Sequence, residues 1–227
     1  MIKVNNAIDV LEKALSENSS SRLVLATSFS VEDQTILHLL LQQTRKFRWF
    51  FLDTGRHYQE TYDTLVRTRE KYGIQPEIYL PDSTALSEML NQKGPNSFYN
   101  NIENRKECCE IRKVAPLRKV LSTSDGWICG LRQTQALTRT NVEPFEWDGL
   151  FNLRKYNPLW NWNENEVWDY VAENSIPVNS LQRKGYRSIG CAPCTRAVKD
   201  DEDLRSGRWW WENPDQKECG LHKRGEK

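Results

Sequence analysis

The sequence predicts an α/β protein whose parallel sheet is flanked by helices. Short apolar runs rich in aromatic and β-branched residues alternate with stretches of helical periodicity through residue 131. No internal repeat or low-complexity segment breaks the pattern, so the chain reads as successive βαβ units.

Each element has its own signal. Ile8, Leu11 and Leu15 form a helical stripe, and 22–27 (R-L-V-L-A-T) reads as a buried strand. Ile36, Leu37, Leu39, Leu40 and Leu41 mark the next helix, and 47–52 (F-R-W-F-F-L) the next strand. Tyr58, Tyr62, Leu65 and Val66 repeat at helical spacing before a short strand at 77–80. A helix over 108–121 places Ile111, Val114, Leu117, Val120 and Leu121 on one side, and 127–131 suits a strand. Asn163 with Glu166 three residues later is a capping pair for a helix carrying Val167, Tyr170 and Val171. Residues 176–195 are rich in Pro, Gly, Ser and Arg, and few apolar residues follow 211. The expected organisation is one α/β domain over 1–211 and a mobile tail over 212–227.

Bulk properties narrow the function. The 32 basic and 31 acidic residues leave a net charge of +1, without the excess that marks a dedicated nucleic-acid binder. No stretch approaches the roughly 20 apolar residues of a membrane span. The start, Met1-Ile2-Lys3-Val4-Asn5-Asn6, lacks the basic-then-apolar layout of a secretory signal. A cytoplasmic protein without nucleic-acid or membrane partners is expected. Oligomeric state is not legible, and a homo-oligomer stays open.

Five constellations could carry chemistry. Thr27-Ser28-Phe29-Ser30 leads from a strand into a helix that begins near Glu32 and Asp33, either as an anion cradle or as a plain capping box. Leu52-Asp53-Thr54-Gly55-Arg56-His57 occupies a second strand end and reads equally as a nucleoside-binding turn or a helix cap. Cys108 and Cys109 are adjacent, and Cys191 and Cys194 form a C-x-x-C, so four thiolates are available to zinc or an iron–sulfur cluster. Zinc pairs usually sit in turns, whereas neighbours in one helix suit the separated irons of a cubane. Cys129, within an apolar strand, is assigned no role. Cys219, close to Lys217, His222 and Lys223, is either an idle exposed thiol or a nucleophile favoured by positive charge. Arg112, Lys113, Arg132, Arg139, Arg205 and Arg208 complete the set, since guanidinium forks suit phosphate and sulfate oxygens. A nucleotide-dependent ligase or thiolase of similar fold is weighed against the absence of a glycine-rich S-G-G-x-D-S loop. A zinc-based nucleic-acid module is weighed against the neutral charge.

Taken together these segments closely resemble the assimilatory adenylyl-sulfate reductases within the phosphoadenylyl-sulfate reductase family. The resemblance rests on T-S-F-S-V-E-D at 27–33, F-L-D-T-G-R at 51–56, C-C-E-I-R-K-V-A-P-L at 108–117 and G-L-R at 130–132. It continues through S-I-G-C-A-P-C-T-R at 188–196, G-R-W-W-W-E at 207–212 and K-E-C-G-L-H at 217–222. It implies a fold like the adenine-nucleotide α-hydrolases, a 4Fe-4S cluster on Cys108, Cys109, Cys191 and Cys194, and Cys219 as nucleophile. It further implies substrate contacts from Ser28, Phe29, Ser30 and Asp33, from Leu52, Asp53, Thr54 and Gly55, and from Lys113, Gly130 and Arg132. Arg139, Arg205, Arg208 and His222 complete the implied contacts. Members with both cysteine pairs generally take adenosine 5′-phosphosulfate, and those lacking the cluster its 3′-phosphorylated form. An S-sulfocysteine on Cys219, resolved by thioredoxin or glutaredoxin, is the implied intermediate.

Overall fold

A computed structural model describes residues 2–135, 142–199 and 201–213. Helix α1 (Ile2–Glu17) buries Ala7, Val10, Leu11 and Ala14 along one stripe. Strand β1 (Leu23–Thr27) follows, with its first three residues fully buried. Helix α2 (Val31–Gln43) is capped by Ser30, whose Oγ accepts from the Asp33 amide at 3.3 Å. Strand β2 (Arg48–Leu52) carries buried Trp49, Phe50 and Phe51. Helix α3 (Gln59–Tyr72) then leads to the short strand β3 (Glu77–Tyr79).

The second half differs more from expectation. Helix α4 (Ser83–Lys93), not anticipated, fully buries only Met89, with Leu86 and Leu90 partly buried beside it in a short stripe. Its ends are marked by Asp82 accepting from the Ala85 amide at 2.9 Å and by Gly94 at φ +79°. The cysteine helix begins six residues early, as α5 (Ile102–Cys109), and passes through a π-helical turn (Glu110–Val114) into α6 (Ala115–Leu121). Pro116 lies in the first turn of α6 and has no amide proton for a regular i→i−4 bond, which accounts for the break. Strand β4 covers only Gly126–Ile128, although the Cys129 amide extends its ladder to the Tyr156 carbonyl at 3.0 Å.

Strands β5 (Phe145–Asp148) and β6 (Leu153–Tyr156) were not foreseen. They form a hairpin whose turn is set by Asp148 Oδ1, which accepts from the amides of Leu150 and Phe151 at 3.2 and 3.3 Å. The sheet order is β3-β2-β1-β4-β6-β5, parallel throughout except for the antiparallel edge strand β5. Helix α7 (Glu164–Glu173) carries the expected capping box, with both reciprocal bonds of Asn163 and Glu166 made.

One face of the sheet packs on α1, α2 and α7 in the larger core, and the other on α6 with Trp127 and Leu153. Helix α3 faces the core through Thr61, Thr64 and Thr68 rather than through Val66, which is exposed. Thr64 and Thr68 satisfy their hydroxyls on the carbonyls four residues back, at 2.6 and 2.7 Å. No helix among the described residues is long and apolar enough to cross a membrane.

Candidate active site

The chain builds outward from β1 in one direction to β2 and β3, and in the other to β4 and β6. In such sheets the crevice beyond the carboxyl ends of the two strands at the reversal is where ligands bind. A cavity of about 610 Å³ lies there, between the loop after β1 and the loop after β4.

The loop after β1 is held by its own polar groups. Phe29 takes a left-handed φ of +58° and drives its ring into the core against Phe51 and Trp49, at 5.0 and 5.9 Å. The Ser28 amide and hydroxyl both donate to Asp33 Oδ2, at 2.6 and 2.7 Å. Thr27 Oγ1 accepts from the Phe29 amide at 3.0 Å, so Thr27 and Ser30 each keep a hydroxyl proton for another acceptor. Burial pushes the Asp33 carboxyl up to about 6, against the lowering effect of the Ser28 hydrogen bonds. Gly130, on the opposite wall, is required by close approach: a Cβ there would stand 2.7 Å from Asp33 Oδ1 and 3.0 Å from Glu32 Cβ.

Of the residues expected to meet substrate, Ser28, Ser30, Asp33, Leu52, Lys113, Gly130, Arg132, Arg205 and Arg208 line this cavity. Phe29 does not line it, since its side chain is wholly buried in the core. Arg132 is also buried and grips Glu32 Oε1 through Nε and Nη2, at 3.1 and 2.8 Å, so it braces the anion loop. Arg139, His222 and Cys219 lie outside the described residues, as does the expected tail from 214 onward. Sequence reasoning had not put His57, Glu32 or Trp168 on the wall. For His57 the signal was present, since it is the last residue of the second strand-end motif. Its Nε2 donates to the Leu52 carbonyl at 3.1 Å, and burial with the charge of Lys113 lowers its pKa to about 4, so the ring is neutral.

Asp53, Thr54 and Gly55 turn away from this wall. Asp53 Oδ1 accepts from the Gly55 amide and the Tyr62 hydroxyl, each at 2.8 Å. Thr54 Oγ1 lies 3.3 Å from Cys191 Sγ, and its carbonyl accepts from Arg112 Nη1 at 2.5 Å. These residues therefore support a second, smaller cavity lined by Cys108, Cys109, Cys191 and Cys194. The C-x-x-C loop is pinned by the Tyr58 hydroxyl, which donates to the Ala192 and Thr195 carbonyls at 3.1 and 2.7 Å. The Tyr99 hydroxyl donates to the Pro193 carbonyl at 2.7 Å.

Burial raises the pKa of Cys191, but the charges of Lys113, Arg208 and Arg112 with the Thr54 hydrogen bond outweigh it and bring the thiol below its ordinary value. Burial and the neighbouring Cys191 push Cys194 up to about 12. Buried N–H groups of Arg112, Arg208 and Trp209, all on this cavity wall, have no hydrogen-bond partner. Among the described residues no three His, Cys, Asp or Glu side chains converge as they would on a single ion. Four thiols spaced around a cavity, with unsatisfied N–H donors facing it, fit a larger sulfur-rich group whose sulfides accept hydrogen bonds. Lys113 and Arg208 line both cavities.

Fold and site thus define an α/β protein with a basic cavity at its switch point and a four-cysteine site behind one wall. The phosphoadenosine phosphosulfate reductase domain model matches residues 22–197, and the chain belongs to that family. It is 41% identical over 218 residues to an adenosine 5′-phosphosulfate reductase of Allochromatium vinosum, covering 96% of this chain and 84% of that protein. It is 43% identical over 201 residues to one of Burkholderia cepacia, covering 88% and 80% of the two chains. Among solved structures, the phosphoadenylyl-sulfate reductase of Candida auris in a phosphate complex superposes with a TM-score of 0.71 at 26% identity, over 85% of this chain and 90% of that one. The FMN adenylyltransferase of Candida glabrata shares the fold, with a TM-score of 0.60 at 16% identity over 88% and 67%.

Proposed function

We propose that this protein reduces adenosine 5′-phosphosulfate to sulfite and AMP through a thiosulfonate on Cys219. The observation that carries this reading is the shared wall: Lys113 and Arg208 line both the switch-point cavity and the four-cysteine cavity. Their positive charges suit a sulfonyl group in transfer and the phosphate that leaves it. The relatives named adenosine 5′-phosphosulfate reductase supply the substrate.

In the first step the Cys219 thiolate attacks the sulfate sulfur. The S–S bond forms, the sulfur–oxygen bond to the phosphate breaks, and AMP departs with the bonding pair. Lys113, Arg205 and Arg208 are the groups that would stabilise the charge moving onto AMP. In the second step a thiolate of reduced thioredoxin or glutaredoxin attacks Cys219 Sγ, expels sulfite and forms a mixed disulfide. The donor's second thiol closes its own disulfide and returns Cys219 as thiolate, so the two electrons come from the dithiol. Cys108, Cys109, Cys191 and Cys194 would hold a 4Fe-4S cluster, which would cross-link helix α5 to the C-x-x-C loop. A reducing, cytoplasmic setting suits five described cysteines of which none is in a disulfide.

Incubated with adenosine 5′-phosphosulfate and no dithiol donor, the full chain should gain one sulfonate, roughly 80 Da, as cysteine-centred covalent catalysis requires. Peptide mapping should place it on Cys219, and Cys219→Ser should form neither adduct nor sulfite. An adduct on Cys129, or turnover by Cys219→Ser, would refute the assignment. The same assay with the 3′-phosphorylated substrate should give a much lower kcat/KM. Equal values would leave the chemistry and remove the preference.

A further inference from the structure

Three segments close on the four-cysteine cavity: α5, the C-x-x-C loop and residues 207–212. The Trp209 amide donates to the Cys194 carbonyl at 3.1 Å, and the Arg196 amide to the Gly207 carbonyl at 3.0 Å. Thr195 and Arg208 form an isolated antiparallel bridge. Residues 207–212 are thereby fastened to one cysteine pair. Arg105 fastens them to the other. It lies on α5 four residues before Cys109, on the same helix face. Its Nε and Nη2 donate to Glu212 Oε1 and Oε2 at 2.9 and 2.7 Å, and the two side chains are 1% and 3% exposed. Glu212, expected to open the tail, is instead part of the body of the molecule.

The same guanidinium hydrogen-bonds the Cys109 side chain and lies 4.9 Å from the centre of the Trp209 ring. Arg105 and Cys109 line the cysteine cavity, and neither they nor Glu212 line the switch-point cavity. A two-bond carboxylate–guanidinium pair fixes orientation as well as distance. Glu212 thus sets the plane of the guanidinium, and with it the direction of the donor at Cys109. It also cancels the charge of Arg105, so the hydrogen bond arrives without net charge. The cysteine cavity is therefore positive where Lys113 and Arg208 join it to the switch-point cavity, and charge-balanced at Arg105. Side chains one step beyond a metal's ligands orient those ligands and tune the metal. Hydrogen bonds to cluster sulfurs do the same for iron.

We propose that Arg105, oriented by Glu212, is a positioning residue for Cys109 as an iron ligand, setting the direction and the donor strength of that one sulfur. This rests on the four cysteines holding a 4Fe-4S cluster. A thiolate that accepts a hydrogen bond passes less charge to its iron, so the Cys109 bond to iron is the one that Arg105 weakens and aims.

The test uses the full chain, purified without oxygen and free of substrate. Arg105→Met combined with Glu212→Leu removes both buried charges together, so neither is stranded. All four cysteines remain, and the double variant should still load iron. Its resonance Raman spectrum should show an Fe–S(Cys) stretching band moved to higher frequency, because one sulfur no longer accepts a hydrogen bond. It should also lose iron to an excess of ferrous chelator roughly tenfold to a hundredfold faster, as when a ligand loses its outer partner. A purely structural pair would speed iron loss and leave the band where it is. Arg105→Lys keeps the charge facing Glu212 but has no fork with which to serve Cys109 as well, and its band should move the same way. An unshifted band, or iron release within about twofold of wild type, overturns the proposal. If the double variant holds no iron, Arg105→Lys decides by the same two readings, and absence of iron there too overturns it. Zinc in place of iron in the wild-type protein is a separate result, which removes the cluster itself.

Discussion

Asp33 shows how one side chain couples the cavity to pH. Its carboxylate closes the loop after β1 by accepting the Ser28 amide and hydroxyl, yet burial holds its pKa at about 6, above the ordinary 3.8. The folded state therefore keeps the proton over a window in which the unfolded chain releases it. The sign follows directly: stability is greatest below about pH 4 and falls as pH rises through about 6, by about 3 kcal/mol for a shift of this size. Asp33→Asn keeps an oxygen for the Ser28 donors and removes the charge. Urea titrations at several pH values should show wild type losing stability relative to Asp33→Asn between about pH 4 and 7. A constant difference across that range would mean that Asp33 titrates normally. Sequence alone showed Ser30 and Asp33 as a capping pair but gave no sign of this burial, because it depends on the β4 loop lying across Asp33.

At the scale of elements, what could be read from sequence was whatever carries local information. β1, β2, α2 and the capping box of α7 all announce themselves by apolar runs or capping residues. Helix α4 and the β5–β6 hairpin do not, since one fully buries a single side chain and the other is two four-residue strands bearing charges. The antiparallel direction of β5 comes from a tight turn after Asp148, which includes Gly149 and holds Asn152 at φ +55°. Close approach between elements was equally invisible. Gly130 reads as an ordinary glycine until the anion loop is placed against it. Gly130→Ala should separate the β4 loop from Asp33, destabilise the fold by about 1–3 kcal/mol as overpacking does, and weaken AMP binding. Gly149→Ala, where an added Cβ meets nothing within 4 Å, is the control and should change neither. Thermal denaturation and calorimetric titration with AMP would separate the two variants.

Across the whole molecule, the two cysteine pairs come from segments about 80 residues apart, and their spacing alone showed that four thiols were available without showing where they meet. The fold brings them to the flank of the switch-point cavity through Thr54, Tyr58 and Tyr99, three side chains that reach the C-x-x-C loop from β2, α3 and the turn before α5. Such an arrangement leaves several buried donors unsatisfied, a cost of about 1–3 kcal/mol each when nothing accepts from them. An iron–sulfur group in the cavity would remove that cost and cross-link α5 to the loop, so binding and folding are linked. Cys194→Ser should therefore do more than abolish turnover. Purified without oxygen, the wild-type chain should be brown, with about four irons per chain as a cubane requires, and the variant should be colourless. Its melting temperature should fall, and limited proteolysis should open 186–199 first, because Cys194 itself lies in that stretch. Because Lys113 and Arg208 line both cavities, AMP affinity should fall as well. Cys129→Ser, buried in the core beside Trp127, should cost stability while keeping its iron. A Cys194→Ser protein that retained four irons, or a wild-type protein active with stoichiometric zinc and no iron, would refute the cluster and leave the substrate cavity to be explained without it.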